Sequence, residues 1–489
     1  MALKTAQQYI DSLRQLKSDV WLFGERIENF VDHPVIRPSI NAIALTYKVA
    51  HEPEYEDLAT TKSTLTGEKI NRFTSLFMSP DDLVKKVKLQ RILGQRTGCC
   101  FQRCVGMDAI NAVYNTTYEI DEKHGTEYHG RFKKWLTYVQ QNDLCIQGAM
   151  TDVKGDRALR PSEQPDPDMF VHIVERRKDG IVIRGAKAHQ TGSVNSHEML
   201  IMPTLTMRPG DEDYSVVCAV RSDSPGVHFI YGRQSCDKRK LEQGDIDVGN
   251  YMFGGQEALT VLDDVFVPWE RVFMCGEVDF SGMVVERFAS YHRQSYGGCK
   301  PGIGDVLVGA AAAMTEYNNV AKASHVRDKI AEMNHLIETL HACGLAASTQ
   351  GTKTKAGNYL PDILLANVCK MNVTRYPYEL CRIAEDLAGG AMVTIPSECD
   401  LRSAEIGKYV EKYFKGAGKV SAEERLRMLS LINNMTFGLA APSYRTESMH
   451  GAGSPQAQKI MIERQSNMEQ KKKLARKLAG IEPRENLED

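Results

Sequence analysis

The stretch MFVHIVERRKDGIVI, Met169 to Ile183, decides the fold. Two β-type runs, Met169 to Val174 and Ile181 to Ile183, flank Asp179-Gly180. Asp-Gly between two apolar runs is a hairpin signal, because glycine accepts the positive φ a tight turn needs. Further short β runs follow at Met199–Met202, Tyr214–Val220, Val227–Tyr231 and Leu259–Val267. Their spacing predicts a small barrel or sandwich over residues 141–280 rather than a βαβ array.

On either side the pattern is helical. Ser79 followed by Pro80, Asp81 and Asp82 is a helix start, and Leu83, Val87, Leu89, Ile92 and Leu93 give it an apolar stripe. Val326, Ile330, Met333, Ile337 and Leu340 mark one face of a later helix, and Ser421 to Glu424 is a capping box. Pro361 opens a helix that Gly389-Gly390 closes, with a kink expected at Pro377. The charged tail from Lys471 is expected to be solvated. The order is helical (1–140), β (141–280), then a helical bundle (281–489), an α+β chain. A dinucleotide G-x-G-x-x-G after a strand and a phosphate loop are both missing, so any nucleotide cofactor is held in another way.

The chain has 489 residues, 42% hydrophobic and 25% charged, with a net charge of -2. The charge speaks against nucleic acid as a partner. The longest apolar run, Val306 to Met314, is too short for a membrane span, and the N-terminus has no signal-peptide core. A cytoplasmic protein is expected. Twelve scattered cysteines in so long a chain are not a disulfide framework.

Six segments carry possible chemistry. In CCFQRC, Cys100 and Cys104 are four apart, so on a helix they would share a face and could bind a soft metal centre. Spacing alone describes incidental buried cysteines as well. In YHRQSYGGCK, Tyr291 to Lys300, Gly297-Gly298 predict a hinged loop that presents His292, Tyr296, Cys299 and Lys300. His292 and Cys299 could complete a set of three thiolates and one imidazole, which zinc and iron–sulfur clusters both accept. A packed His-Tyr pair fits the spacing equally. Glu257 in GGQEAL is a carboxylate beside tight backbone, a candidate base or an exposed turn residue. TESMHGAGSPQAQ, with Glu447, could bind an anion at a helix start or form a tight loop between two helices. The polar segments AMTDVKGDR (149–157) and KAHQTGSVNSHE (187–198) suit a planar polar cofactor or plain surface loops.

NRFTSLF, CFQRCVGMDA, GAMTDVKGDR, RGAKAHQTGSVNSHE, YGRQSCD, FGGQEAL, VERFASYHRQSYGGCK, ASHVRDK and YRTESMHGAGSPQAQ together resemble the 4-hydroxybutyryl-CoA dehydratase family. These motifs run over nearly the whole chain. The family is a branch of the flavin-dependent 4-hydroxyphenylacetate hydroxylase group with acyl-CoA dehydrogenase architecture. The resemblance implies one FAD and one [4Fe-4S] cluster per subunit of a homotetramer. It implies radical dehydration of 4-hydroxybutyryl-CoA to crotonyl-CoA and isomerisation of vinylacetyl-CoA. Cys100, Cys104, His292 and Cys299 are the implied cluster ligands. Cys99 has no counterpart in the family pattern, and the C-F-Q-R-C spacing assigns Cys100. His292 is implied as the first choice of base, with Glu447 and Glu257 as proton-transfer or positioning groups and Tyr296 and Lys300 near the reacting oxygen. Met150, Thr151, Asp152, Val153, Lys154, Gly155, Asp156, Arg157, His189, Gln190 and Thr191 are implied FAD contacts. A cluster-free FAD-dependent aromatic monooxygenase is the alternative within the same architecture.

Overall fold

The computed structural model describes residues 3–233, 244–246 and 252–483. Most of the YGRQSCD stretch, with Cys236, lies outside them. Among the described residues the eleven cysteines are all free, and no helix is long and apolar enough to cross a membrane.

The N-terminal part is built on helices Ala6–Arg14, Arg37–Val49, Pro80–Thr97, Cys104–His124 and Tyr128–Gln141. Ser79 caps the third as expected, accepting a hydrogen bond from the Asp82 backbone N–H, and Gly98 at φ 61° ends it. This part is not wholly helical. Asp19–Leu22 pairs in parallel with Val227–Tyr231, so the N-terminus contributes to the central sheet.

The hairpin forms as the Asp-Gly turn predicts, with Ile173 opposite Ile183 in antiparallel register. The expected strands are present, but among the described residues they build two open sheets and neither closes into a barrel. The six-stranded sheet runs Glu25–Arg26, Asp19–Leu22, Val227–Tyr231, Glu257–Pro268, Gly180–Thr191, His172–Arg176. The four-stranded sheet runs Val272–Cys275, Val216–Arg221, Glu198–Ile201, Ile146–Ala149. Both feed one buried cluster, with Ile183, Phe229 and Leu262 from one sheet meeting Met199, Cys218 and Val220 from the other. Each such side chain contributes about 1.5–3 kcal/mol when removed from water.

The C-terminal part centres on helix Val278–Tyr317, 40 residues long. At 1.5 Å per residue it spans about 60 Å. YHRQSYGGCK lies in its middle, so the expected hinged loop is corrected: the segment is uninterrupted helix, and its glycines serve packing. A Cβ on Gly297 would sit 2.5 Å from Gly344 Cα, and one on Gly298 would sit 2.4 Å from the Val87 carbonyl. The helix is thus gripped between helices Pro80–Thr97 and Ser324–Thr349 at separations only glycine permits. Pro301 lies inside it without breaking it. Proline cannot donate to the carbonyl four residues back. That carbonyl, Gly297, is taken instead by His341 Nδ1 at 3.0 Å.

Two local expectations are corrected. Pro377 does not kink one helix but begins a second, since Ile363–Val373 and Tyr376–Ala388 are separate. Cys100 and Cys104 do not share a helix face. Cys104 is the first residue of helix Cys104–His124, and Cys100 lies in the extended segment before it. The capping box at Ser421 and Glu424 is present, and the helix Met468–Leu478 is exposed along its length.

Candidate active site

Helix Val278–Tyr317 carries His292, Tyr296, Cys299 and Lys300 into the interior, where each is 6% exposed or less. A helix repeats every 3.6 residues, so His292, Tyr296, Cys299 and Lys300 project from one side. The segment Cys99–Arg103 brings Cys100 and Cys104 to that side. Gln102 takes a left-handed φ of 66° there, and its backbone N–H points at Cys100 Sγ at 3.4 Å. The Gln102 side chain ties the segment down by donating to the Ser39 and Gly254 carbonyls, both at 3.0 Å.

The thiols of Cys100, Cys104 and Cys299 lie within electrostatic reach of one another. Burial pushes all three upward, Cys299 to about 12; neighbouring thiols raise Cys100 and Cys104 further and Glu447 raises Cys299, against the pull of Lys300 on Cys100 and Cys299. Three neighbouring sulfurs, two of them buried and two facing backbone N–H groups, suit thiolates that a metal would hold deprotonated. Cys99 differs. Burial lifts it to about 12, and its hydroxyl partner is Thr97, not the other thiols. Among the described residues, no three His, Cys, Asp or Glu side chains converge on a single point as one ion would require.

His292 is held from behind. Its Nδ1 lies 2.8 Å from Asp108 Oδ2, and its ring stacks on Phe288 at 5.5 Å. Ser295 Oγ donates to the same Asp108 oxygen at 2.9 Å. Lys86 Nζ stands 2.6 Å from the other oxygen, and both side chains are fully buried. Burial pushes the Asp108 carboxyl up, but Lys86 and His292 outweigh it and hold it below the usual value. Neither Asp108 nor Lys86 was singled out by sequence. The available signal was a charge inside each otherwise apolar helical stripe.

Two carboxylates flank the thiols in opposite states. Glu447 follows a π-helical turn at Pro442–Thr446, a distortion common at functional sites. Lys300 Nζ donates to its Oε2 at 2.6 Å, and the Tyr296 hydroxyl donates to Oε1. Burial pushes Glu447 up, yet Lys300, Lys370 and these hydrogen bonds hold it below the usual range. Gly451 lies against the pair, since a Cβ there would sit 2.0 Å from Glu447 Oε1. Glu257 opens strand Glu257–Pro268 opposite Thr191, whose hydroxyl donates to it at 2.8 Å. Burial, with Glu447 adding to it, pushes the Glu257 carboxyl up to about 8.

Lys370, also missed by sequence, donates to the Ser448 carbonyl and lies 4.9 Å from the Tyr296 ring centroid. Burial pulls it down to about 7 despite Glu447.

The two polar segments proposed to hold a cofactor meet each other. The Ala188 N–H donates to the Thr151 carbonyl at 2.8 Å, and Asp152 pairs with Lys187 at 2.8 Å, both buried. Lys154 and Gly155 take successive left-handed conformations at φ 78° and 48° and turn the loop outward. Val153, Gly155, Asp156, Arg157 and His189 are exposed, whereas Gln190 is buried and Met150 and Thr151 are intermediate. His189, at φ 38°, feels both Lys154 and Glu447. Thr191 therefore joins this polar wall to Glu257 and the thiol side. The donor set, amides, hydroxyl and imidazole around an exposed loop, suits a planar polar ring system.

The 4-hydroxyphenylacetate 3-hydroxylase N-terminal region matches residues 5–274, and the C-terminal region of the same family matches residues 281–480. The 4-hydroxybutyryl-CoA dehydratase/vinylacetyl-CoA-Delta-isomerase of Clostridium aminobutyricum is 61% identical over 488 residues, 98% of this chain and 100% of that one. An oxygen-tolerant archaeal 4-hydroxybutyryl-CoA dehydratase from N. maritimus superposes with TM-score 0.96 at 55% identity, covering 100% of this chain and 97% of that one. The oxygenase component of 4-hydroxyphenylacetate 3-monooxygenase, complexed with FAD and 4-hydroxyphenylacetate, superposes with TM-score 0.85 at 25% identity, covering 97% and 98%.

Proposed function

Since the chain belongs to the 4-hydroxyphenylacetate 3-hydroxylase family, we propose that it dehydrates 4-hydroxybutyryl-CoA to crotonyl-CoA by a radical route. It also isomerises vinylacetyl-CoA to crotonyl-CoA. It does so in the cytoplasm as a homotetramer with one FAD and one [4Fe-4S] cluster per subunit, on a frame divided at 1–140, 141–280 and 281–489.

Cys100, Cys104, His292 and Cys299 would hold the cluster, and residues 150–157 with His189, Gln190 and Thr191 would hold FAD. When bound, the flavin supplies reversible one-electron chemistry and the cluster a Lewis-acidic iron for the departing hydroxyl.

The observation that carries the reading is a pair of carboxylates beside three thiols, Glu447 held by Lys300 and Tyr296 and Glu257 held by Thr191, with burial and charge pushing the two carboxyls in opposite directions. The net reaction removes one proton from the α carbon and one from the β carbon, delivers one to the γ carbon and expels water. Such chemistry needs both a proton acceptor and a proton donor at one pH. Glu447, kept ionised by Lys300 and Tyr296, serves as acceptor or anchor. Glu257, kept protonated near neutrality, serves as donor. His292, with Nδ1 committed to Asp108, has only the Nε2 lone pair, which would ligate the cluster and, on release, serve as the base for the α proton. Burial of these groups excludes water and strengthens each interaction. The aromatic monooxygenase alternative is disfavoured, because the dehydratase relative shares 61% of its residues whereas the 4-hydroxyphenylacetate oxygenase of Thermus thermophilus shares 27%.

The test is an anaerobic assay. Purified protein should carry about four irons per flavin, the content of one cubane, and form crotonyl-CoA from 4-hydroxybutyryl-CoA without oxygen. Full activity without iron, or oxygen-dependent hydroxylation of a phenol in its place, would overturn the reading.

A further inference from the structure

Behind His292 lies a fully buried chain of polar groups. Lys86 Nζ donates to the Tyr291 carbonyl at 2.9 Å and to Gln294 Oε1 at 2.8 Å, and it forms an ion pair with Asp108 Oδ1 at 2.6 Å. An ammonium has no lone pair, so it offers Asp108 nothing but positive charge and hydrogens. Asp108 Oδ2 receives His292 Nδ1 at 2.8 Å and Ser295 Oγ at 2.9 Å. The three elements involved are helices Pro80–Thr97, Cys104–His124 and Val278–Tyr317.

We infer that Asp108 and Lys86 are positioning residues that fix the tautomer of His292, placing hydrogen on Nδ1 and leaving the Nε2 lone pair for the site. A carboxylate paired with an ammonium only accepts, so the imidazole nitrogen facing it must donate. The hydrogen bond also sets the ring plane, as outer-shell carboxylates do for histidines that ligate metals. Lys86 does more than balance charge. It dictates which way an amide at position 108 would face.

In Asp108→Asn, Lys86 demands the amide oxygen on its own side. The amide NH2 then faces His292 and Ser295. Nδ1 must accept, hydrogen moves to Nε2, and the lone pair that would serve the site is lost. In the double variant Lys86→Met/Asp108→Asn nothing holds the oxygen away from His292. The amide turns, and Nδ1 donates again. A purely structural role for the pair predicts no such rescue.

The inference rests on the proposed use of His292 as ligand and base, but its test does not need the loaded enzyme. The full-length chain, labelled with 15N-histidine and stripped of iron by a chelator, is read by solid-state 15N NMR. His292 is assigned by difference from His292→Gln. Wild type should show protonated Nδ1 and bare Nε2, Asp108→Asn the reverse, and the double variant the wild-type pattern. After anaerobic reconstitution, Asp108→Asn should lose iron to chelator about 10–100-fold faster than wild type, and the double variant should recover most of that.

Protonated Nε2 in the wild-type chain overturns the inference, and this arm stands even if Asp108→Asn does not fold. Wild-type tautomer or iron retention in Asp108→Asn also overturns it, and an unrescued double variant overturns the role of Lys86. His292→Gln that keeps its full iron would instead refute the ligand assignment, leaving the tautomer result intact.

Discussion

Lys300 Nζ lies 2.6 Å from Glu447 Oε2, joining residues 147 positions apart in the chain. The lysine comes from the middle of the long helix and the carboxylate from just after a π-helical turn. Their contact keeps a largely buried carboxylate charged, and it closes the site on the C-terminal side.

Removing Lys300 should therefore move Glu447 upward. Its carboxyl is depressed in the folded chain, so it is ionised at neutral pH and loses its charge only as pH falls. In Lys300→Met burial is left less opposed, and the acid limb of the kcat–pH profile should shift up by about one unit or more. Glu447→Gln should lower kcat by about 100-fold or more. An unmoved acid limb in an iron-replete Lys300→Met protein would refute the coupling.

Glu257 has the opposite sign. With its carboxyl at about 8, it holds a proton through neutrality and gives it up as pH rises. The rate should fall above about pH 8, and Glu257→Gln should lack that limb. Linkage adds a stability effect. Between the unfolded value near 4.5 and the folded value of about 8, the folded chain binds a proton the unfolded chain releases, so stability falls with rising pH. The melting temperature of Glu257→Gln relative to wild type should rise across that window.

The two neighbouring cysteines should separate cleanly. Cys99 is tied to Thr97, whereas Cys100 is coupled to Lys300, Glu447 and Cys299. Cys100→Ala and Cys299→Ala should lose iron together with dehydration, because a cluster short of one ligand is labile. Cys99→Ala should keep its iron content. Iron analysis after anaerobic purification decides the matter.

Helix packing at the site can be tested without cofactor. A Cβ at residue 298 would lie 2.4 Å from a backbone oxygen and 2.7 Å from Gln90 Cβ, so Gly298→Ala must push two helices apart. It should cost about 1–3 kcal/mol, seen as a lower melting temperature, whereas Gly130→Ala, with open space around it, should not.

Much of the fold was legible because its signals are local. Asp179-Gly180 specifies a turn by backbone sterics, Ser79 and Ser421 specify helix starts by hydrogen bonding, and alternation marks the strands. These depend on a few adjacent residues. The glycines at 297 and 298 misled for the same reason. Glycine breaks a helix or lets two helices touch, and only the identity of the neighbour distinguishes the cases. Here the neighbours are Gly344 and Val87, 47 and 211 residues away in sequence, and packing against them outweighed glycine's poor helix propensity. Local patterns marked the candidate ligands and carboxylates, and the resemblance assigned their roles.

By itself the sequence determined the order of helical, β and helical segments, and which short motifs gather groups capable of chemistry. Tertiary structure alone decided what those residues do to one another. A carboxylate's charge depends on the cations and desolvation around it, and Glu447 and Glu257 have the same side chain in opposite states because Lys300 outweighs burial at the first while burial dominates at the second. Asp108 and Lys86 were visible only as charges in apolar stripes until three helices brought them behind His292. Protonation and tautomer are properties of a neighbourhood assembled from distant parts of the chain, and no local pattern encodes them.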